Sequence, residues 1–319
     1  TIHNKDFLIE RVCKSLLNNL SNKTNQLIVV FDGCTDNSIP IVKNILKNIT
    51  KLKIDYVYTD NVFETKANNA GLKIVDNDYA LLIQDDMVIN EKDFDIRMLK
   101  PYQTFNDVFA VTSFIAHNNI YNEQIKEINY IDMANKNNSS RDIFYAREYG
   151  NRGPLMYNYQ DVVKLNYLDE WFSPQNYDDM DISMRAFKEL KKVSGLYWID
   201  YTSDPRWGST RQKNHELHRN LVTINSQKIL ERHKELLYGN KFIENRNLYV
   251  TEYLVALYEE GAFMAVHVDV ADDREVVSTV IYLNDEYSGG ELSFPEVSAG
   301  YFYTPEKYEL VYFPTPYQH

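Results

Sequence analysis

Three groups of residues carry side chains that could do chemistry. Asp85 and Asp86 follow the apolar run Leu81-Leu-Ile83. Carboxylates exposed at a strand end offer hard oxygen ligands to Mg2+ or Mn2+, and such a cation neutralises a diphosphate leaving group. Asp178, Asp179 and Asp181 crowd the start of a helical stretch. A carboxylate there could take the proton of an attacking hydroxyl. Each cluster alone also has a plain reading, Asp86 as a strand end and Asp178 as a helix cap. Far along the chain, His267-Val-Asp269 lies in a strand pattern, where residues i and i+2 share a face. His319 follows the apolar run Leu310-Val-Tyr-Phe313. Two His and one carboxylate on a β scaffold can hold Fe2+ and leave positions open for a chelating co-substrate and O2. Taken alone, a His-x-Asp tripeptide is also an ordinary surface feature.

The elements that must position these groups can be read from periodicity. Leu27–Phe31 is a continuous apolar run closed by Asp-Gly, which predicts a buried strand. Pro40–Ile49 has helical spacing, Leu52–Tyr58 alternates, Lys66–Val75 reads as a helix, and Tyr79–Ile83 as a third buried strand. This alternation predicts an α/β unit with a parallel sheet. Ligands of such sheets sit at the carboxyl ends of the strands, where Asp32–Asp36 and Asp85-Asp86 fall. Residues 100–200 are rich in Tyr and Asn and read as mixed strands and loops. Asp178–Lys192 reads as a helix, and Gln212–Leu237 as a polar helical connector. From Leu248 onward short strands punctuated by Gly261, Gly289-Gly290 and Gly300 predict an antiparallel all-β region: Thr251–Tyr258, Met264–Asp269, Val276–Leu283, Glu291–Phe294 and Glu309–Phe313. The expected boundary near 240 gives domains of 1–240 and 241–319.

Composition limits the function classes. The 319 residues carry 34 Lys+Arg against 46 Asp+Glu, a net charge of −12, which argues against a nucleic-acid coat. Hydrophobic residues at 44% and charged residues at 25% fit a folded globular protein. No apolar run approaches a membrane span and no signal peptide is visible. With only Cys13 and Cys34 there is no disulfide framework, which favours a reducing, cytoplasmic location.

Four ordered segments over about residues 1–210 resemble the family 2 glycosyltransferases of the GT-A fold. Thr1-Ile-His-Asn-Lys-Asp-Phe-Leu8 is similar to the end of the first strand and its donor loop. Val30-Phe-Asp-Gly-Cys-Thr-Asp-Asn-Ser38 is similar to the family's Asp-Asp-Gly-Ser-Thr-Asp turn. Lys66-Ala-Asn-Asn-Ala-Gly71 and Ile83-Gln-Asp-Asp86 resemble its Ala-Arg-Asn-x-Gly helix and Asp-x-Asp strand end. Asn176-Tyr-Asp-Asp-Met-Asp-Ile-Ser-Met-Arg185 resembles its Glu-Asp-x-Asp-x-x-x-Arg helix. The resemblance implies a nucleotide-sugar donor, most simply a UDP-sugar, bound through Asp32, Asp36, Asn69, Asp85 and Asp86. It implies Mn2+ or Mg2+ at Asp86, and an inverting transfer with Asp179 as base and Asp178 beside it. His215 or His218 could supply a later metal ligand, but exposed helix histidines without such a role are commoner, and Gly153–Met156 with Leu168–Trp171 would shape the acceptor side. Gln84 and Asn68 depart from the pattern, where the family has Asp and Arg.

Leu257-Tyr-Glu-Glu-Gly-Ala-Phe-Met-Ala-Val-His-Val-Asp269, Thr279–Asn284, Gly289-Gly-Glu-Leu-Ser-Phe-Pro295 and Pro316-Tyr-Gln-His319 resemble 2-oxoglutarate/Fe(II) oxygenases of the prolyl 4-hydroxylase type. The resemblance implies a double-stranded β-helix (jelly roll), Fe2+ held by His267, Asp269 and His319, and 2-oxoglutarate near Tyr258. It stops at His319, before the family's basic anchor for 2-oxoglutarate and its closing strands, so this part reads as incomplete. Together the two resemblances imply a bifunctional enzyme that hydroxylates and glycosylates a protein or glycan acceptor. The alternatives are a glycosyltransferase with a non-catalytic oxygenase-like module, and a carbohydrate-binding scaffold without turnover.

Overall fold

The computed structural model describes residues 1–122, 127–208, 215–238 and four short strands between 278 and 313. The chain divides into two compact units, Thr1–Glu252 and Tyr253–His319.

The first unit begins as the sequence predicts. Strand β1 (Gln26–Asp32) pairs in parallel with β2 (Lys53–Thr59), from Gln26 opposite Lys53 to Asp32 opposite Thr59. The last four residues of β1 are buried, and Phe31 stacks on Tyr56 and Tyr58 across the ladder. Helix α1 (Ile9–Asn19) lays Ile9 and Val12 on this pair. The next two helices start earlier than their apolar periods suggest, and polar groups explain both. Helix α2 (Ser38–Leu46) starts where Asp36 Oδ1 accepts from the Ser38 N–H. Pro40 is tolerated there because first-turn N–H groups have no helical partner. Helix α3 (Phe63–Leu72) starts where Asp32 accepts from the N–H groups of Val62 and Phe63.

The third strand corrects the expectation of a continuous parallel sheet. Strand β3 (Tyr79–Leu82) has no ladder with β1; it pairs antiparallel with β10 (Leu155–Asn158). A cleft of about 360 Å3, lined in part by Ile28, Val30 and Leu82, lies between β1 and β3. The main sheet is mixed, in the order β3-β10-β5-β11-β8. Here β5 is Val108–Thr112, β8 Tyr145–Arg147 and β11 Val193–Leu196. All five residues of β5 are buried, as a central strand covered on both faces requires. Helix α4 (Phe94–Thr104) covers one face with Phe94 and Met98, and α5 (Tyr159–Lys164) covers the other with Val162.

The Tyr- and Asn-rich middle is largely a second sheet, in which β6 (Ile115–Asn122) lies between β7 (Glu127–Asn135) and β9 (Tyr149–Gly150). Strand β4 (Val88–Ile89) pairs with β12 (Tyr201–Thr202), which brings Tyr201 near Asp86. Helix α6 (Asp178–Arg185) runs into a π-helical turn, Ala186–Leu190, ended by Lys191 at φ 57°.

The helix expected as a connector, α7 (His215–Tyr238), is docked on the unit. Ile229 and Leu237 join Phe172, Met180 and Met184 in one apolar cluster. In the second unit β13 (Ser278–Ile281) pairs antiparallel with β16 (Leu310–Phe313). Strand β14 (Leu292–Ser293) pairs antiparallel with β15 (Phe302–Tyr303), a strand the periodicity did not reveal.

Candidate active site

Asp32, Asp36 and Asp85 are gathered by one segment, His3–Asp6. The His3 N–H donates to Asp85 Oδ2 (2.9 Å), and its ring Nδ1 lies 2.5 Å from the Asp32 carbonyl. The Lys5 ammonium, itself buried, lies 3.4 Å from Asp85 Oδ1 and donates to the Trp207 carbonyl. The Asp6 N–H donates to Asp36 Oδ2 (2.9 Å). The strand end that carries Asp85 is therefore tied to the turn at the end of β1. Gly33 makes that turn possible. Its φ is +58°, and a Cβ there would lie 2.6 Å from the Asn61 Cβ.

The carboxylates expected to meet the donor differ in how free they are. Asp32 accepts from the Thr59 hydroxyl (2.8 Å) and from the Val62 and Phe63 N–H groups. Its visible work is to fix the loop after β2 and cap α3. In Asp85, burial pushes the carboxyl pKa up and the charge of Asp86 adds to this, against the pull of Lys5 and the His3 N–H. Asp86 is different, because its Oδ1 is buried and has no protein partner. Asn69 lies apart from these groups. Its amide donates to the Leu168 carbonyl (2.8 Å) and accepts from the Leu168 N–H (3.1 Å), so it ties α3 to the 168–171 loop.

Among the described residues, no group of three or more His, Cys, Asp or Glu side chains could hold a metal ion. A divalent cation of a sugar diphosphate does not need one, since one or two carboxylates plus phosphate oxygens and water suffice for Mg2+. The orphaned Asp86 Oδ1 fits that role, whereas Asp85 is already bonded within the protein. His215 begins α7 and His218 lies in its first turns.

Asp178 and Asp179, the pair expected as base and neighbour, lie at the start of α6. Asp178 is fully buried and Asp179 nearly so. Burial first, and then the charge of Asp178, push the Asp179 carboxyl pKa up to about 6, against Arg152 and the N–H groups of Arg152 and Met180. A carboxylate poised there suits a general base near neutral pH. Sequence reasoning missed Arg152, which lies in the turn between β9 and β10. Its guanidinium bonds Asp178, its Nε lies 3.4 Å from Glu64 Oε1, and its backbone N–H donates to Asp179 Oδ2 (3.0 Å). Glu64 Oε1 also accepts from Gln84 Nε2 (2.6 Å). The chain Gln84–Glu64–Arg152–Asp178 thus joins the two acidic clusters that the sequence offered separately. The only signal for it was the match of the adjoining Gly153–Met156 segment.

Asp181, two residues further on, faces away from this chain. It accepts from Arg185 (2.8 Å), Arg232 (3.0 Å) and His233 (2.9 Å). Burial would raise its pKa, but bonds and charge from His233 and Arg185 outweigh burial and hold it low. The helical geometry of α7 breaks at His233 (φ −115°, ψ 21°), where the ring reaches Asp181. Asn225 of the same helix donates to the carbonyls of Phe172, Gln175 and Asn176, fixing the loop that leads into α6.

Tyr258, His267, Asp269 and His319, the residues expected at an iron site, lie outside the described residues.

The sequence profile of glycosyl transferase family 2 matches residues 1–161, just over half of the 319 residues. The chain belongs to glycosyl transferase family 2. The 2OG-Fe(II) oxygenase superfamily matches residues 253–319. No curated relative matches this chain. Among solved structures, S. aureus TarS 1–349 in complex with UDP-GlcNAc is similar at 16% identity and a TM-score of 0.50, over 75% of this chain and 68% of that one. GalNAc-T7 with UDP, GalNAc and Mn2+ is similar at 8% identity and a TM-score of 0.51, over 74% of this chain and 53% of that one. Other TarS structures are spanned less fully, one 1–349 chain over 58% of its length and a longer one over 40%. These likenesses show a GT-A glycosyltransferase-like α/β fold. No helix among the described residues is long and apolar enough to cross a membrane.

Proposed function

We propose that the first unit transfers a sugar from a nucleotide-sugar donor to a hydroxyl acceptor. The observation that carries this reading is one connected site, with an unpartnered carboxylate oxygen at Asp86 and a buried carboxylate of raised pKa at Asp179. That TarS was solved with UDP-GlcNAc and GalNAc-T7 with UDP, GalNAc and Mn2+ supports a UDP-sugar donor and a divalent cation.

The geometry supports the following roles. His3, Lys5 and Asp6 hold the two strand ends that flank the diphosphate. Asp86 presents its free oxygen, and bound Mn2+ or Mg2+ would supply neutralisation of the leaving diphosphate. Asp179 takes the proton of the acceptor hydroxyl as that oxygen attacks the anomeric carbon. In-line displacement inverts that carbon. Asp178 is held by Arg152 and stays beside the base.

For the second unit the reading is a 2-oxoglutarate/Fe(II) hydroxylase of jelly-roll form. The superfamily match and the antiparallel pairs β13–β16 and β14–β15 support it. His267, Asp269 and His319 would hold Fe2+, with Tyr258 at the 2-oxoglutarate pocket. The pairing suggests hydroxylation and glycosylation of one protein or glycan acceptor. The free thiols Cys13 and Cys34 fit a reducing compartment.

The test is hydrolysis of UDP-GlcNAc and other nucleotide sugars with Mn2+, compared with the Asp179→Asn protein. 2-Oxoglutarate turnover to succinate runs in parallel with His267→Ala. Donor hydrolysis lost in Asp179→Asn supports the first activity, and an unchanged rate removes Asp179 from it. Succinate formation that survives His267→Ala removes the iron site.

A further inference from the structure

Arg152 combines features that an ordinary ion pair does not. Its side chain is 7% exposed and that of Asp178 is 0% exposed, so water does not screen the pair. Most buried polar atoms are hydrogen-bonded, since each orphan costs desolvation energy. Here two atoms stay unpartnered, Arg152 Nη1 and Asp178 Oδ2, one donor and one acceptor. Both belong to groups that touch the base or its neighbour. Arg152 also bonds outward to Glu64, which holds Gln84 two residues before Asp86.

We propose that Arg152 is the positioning residue of the transfer. Its guanidinium anchors the turn between β9 and β10 to Asp178 and Glu64. That anchor aims its own backbone N–H at Asp179 Oδ2 and keeps one positive charge beside the base. The inference rests on the glycosyltransferase reading of this site. The groups facing Asp179 are few. Asp178 precedes it on α6, Arg152 comes from the β9–β10 turn, and Tyr157 comes from β10. Arg185, Arg232 and His233 are bonded to Asp181.

Donor hydrolysis tests this, because water can replace the acceptor and Asp179 still serves as base. The rate is measured from pH 5 to 9 for the unaltered protein, Arg152→Gln and Arg152→Lys. The unaltered protein should lose activity as pH falls through about 6, where Asp179 takes up its proton. Arg152→Gln removes the adjacent charge and should move that limb upward by about 1–3 pH units. Its plateau rate should fall about 100-fold, as for a misplaced catalytic group. Arg152→Lys keeps the charge without the fork, so the limb should stay while the plateau falls.

An Arg152→Gln limb that stays near the unaltered value, with a native melting temperature, overturns the proposal. Should Arg152→Gln not fold, Arg152→Lys decides, and an unchanged plateau counts against positioning. Absence of hydrolysis by the unaltered protein at every pH instead sinks the transferase reading beneath it. Unfolding free energy offers a readout without turnover. The pH dependence that Asp179→Asn removes should shift upward in the Arg152→Gln background, and an unshifted dependence refutes the charge contact.

Discussion

Gln84 stands where the family pattern has the first carboxylate of Asp-x-Asp, and restoring the acid should impair the site. Gln84 Nε2 donates to Glu64 Oε1 at 2.6 Å, and Glu64 is only 28% exposed. Gln84→Asp exchanges a donor for a second negative charge. Even after the loop relaxes to about 4 Å, two like charges repel by ~1 kcal/mol in water and ~4 kcal/mol at the effective dielectric of a protein surface. The lost hydrogen bond to a charged acceptor adds ~1.5–3 kcal/mol. Arg152 lies 3.4 Å from Glu64 and would recover part of this, so we expect a net cost of about 2–4 kcal/mol. Should all of that cost fall on the native state, the melting temperature would drop by roughly 4–16 °C.

Two measurements check this, thermal melting and Mn2+-dependent donor hydrolysis. Donor turnover should fall at least about tenfold, because displacing Glu64 loosens Arg152 and a tenfold loss needs only ~1.4 kcal/mol. The double variant Glu64→Gln/Gln84→Asp removes one of the two charges and should recover most of both losses. Gln84→Asp with faster turnover and unchanged melting would mean that position 84 faces the metal and that the link to Glu64 is incidental.

Asp179 links activity to stability with a definite sign. Its folded pKa of about 6 lies above the ordinary carboxyl value of 3.8, so the native state binds the extra proton between those values. Its contribution to stability is therefore largest below pH 3.8 and is lost as pH rises through about 6. Asp179→Asn should flatten that slope in denaturant titrations at pH 4–8 while abolishing transfer; an unflattened slope means the carboxyl is not perturbed. His233→Ala removes one of three donors to buried Asp181 and should lower stability by about 1–3 kcal/mol. Thermal melting reads this, and no change would detach α7 from α6. Gly33→Ala places a Cβ 2.6 Å from the Asn61 Cβ at φ +58°. It should cost about 1–3 kcal/mol, and urea titration showing less than a few tenths would mean the turn re-forms freely.

How far the sequence reached depended on whether a feature was local. β1 and β3 are dense apolar runs and β2 alternates, and periodicity located each within a residue or two. The starts of α2 and α3 were misjudged by two or three residues because Asp36 and Asp32 satisfy their first N–H groups, a matter of tertiary contact. The pairing of β3 with β10 joins residues some 75 positions apart, and no local pattern carries that. Strand β15 is only two residues long, too short for an alternation to show. The π-helical turn after α6 was hidden because Ala186–Leu190 has ordinary helical composition.

The site divides in the same way. Motif residues were legible one at a time, but their charge balance was not. Arg152 is flanked by Asn and Gly in a turn and carries no spacing signal, yet it is the cation that makes two adjacent buried aspartates tolerable. Glu64 reads as an acidic residue in the first turn of α3, and its bond to Gln84 explains why a neutral amide suits position 84. A carboxylate there would face another carboxylate already committed to Arg152. The departure from Asp-x-Asp thus need not mark a decayed site. It is matched by a compensating acid on α3, leaving Asp86 as the carboxylate with a free oxygen for a cation.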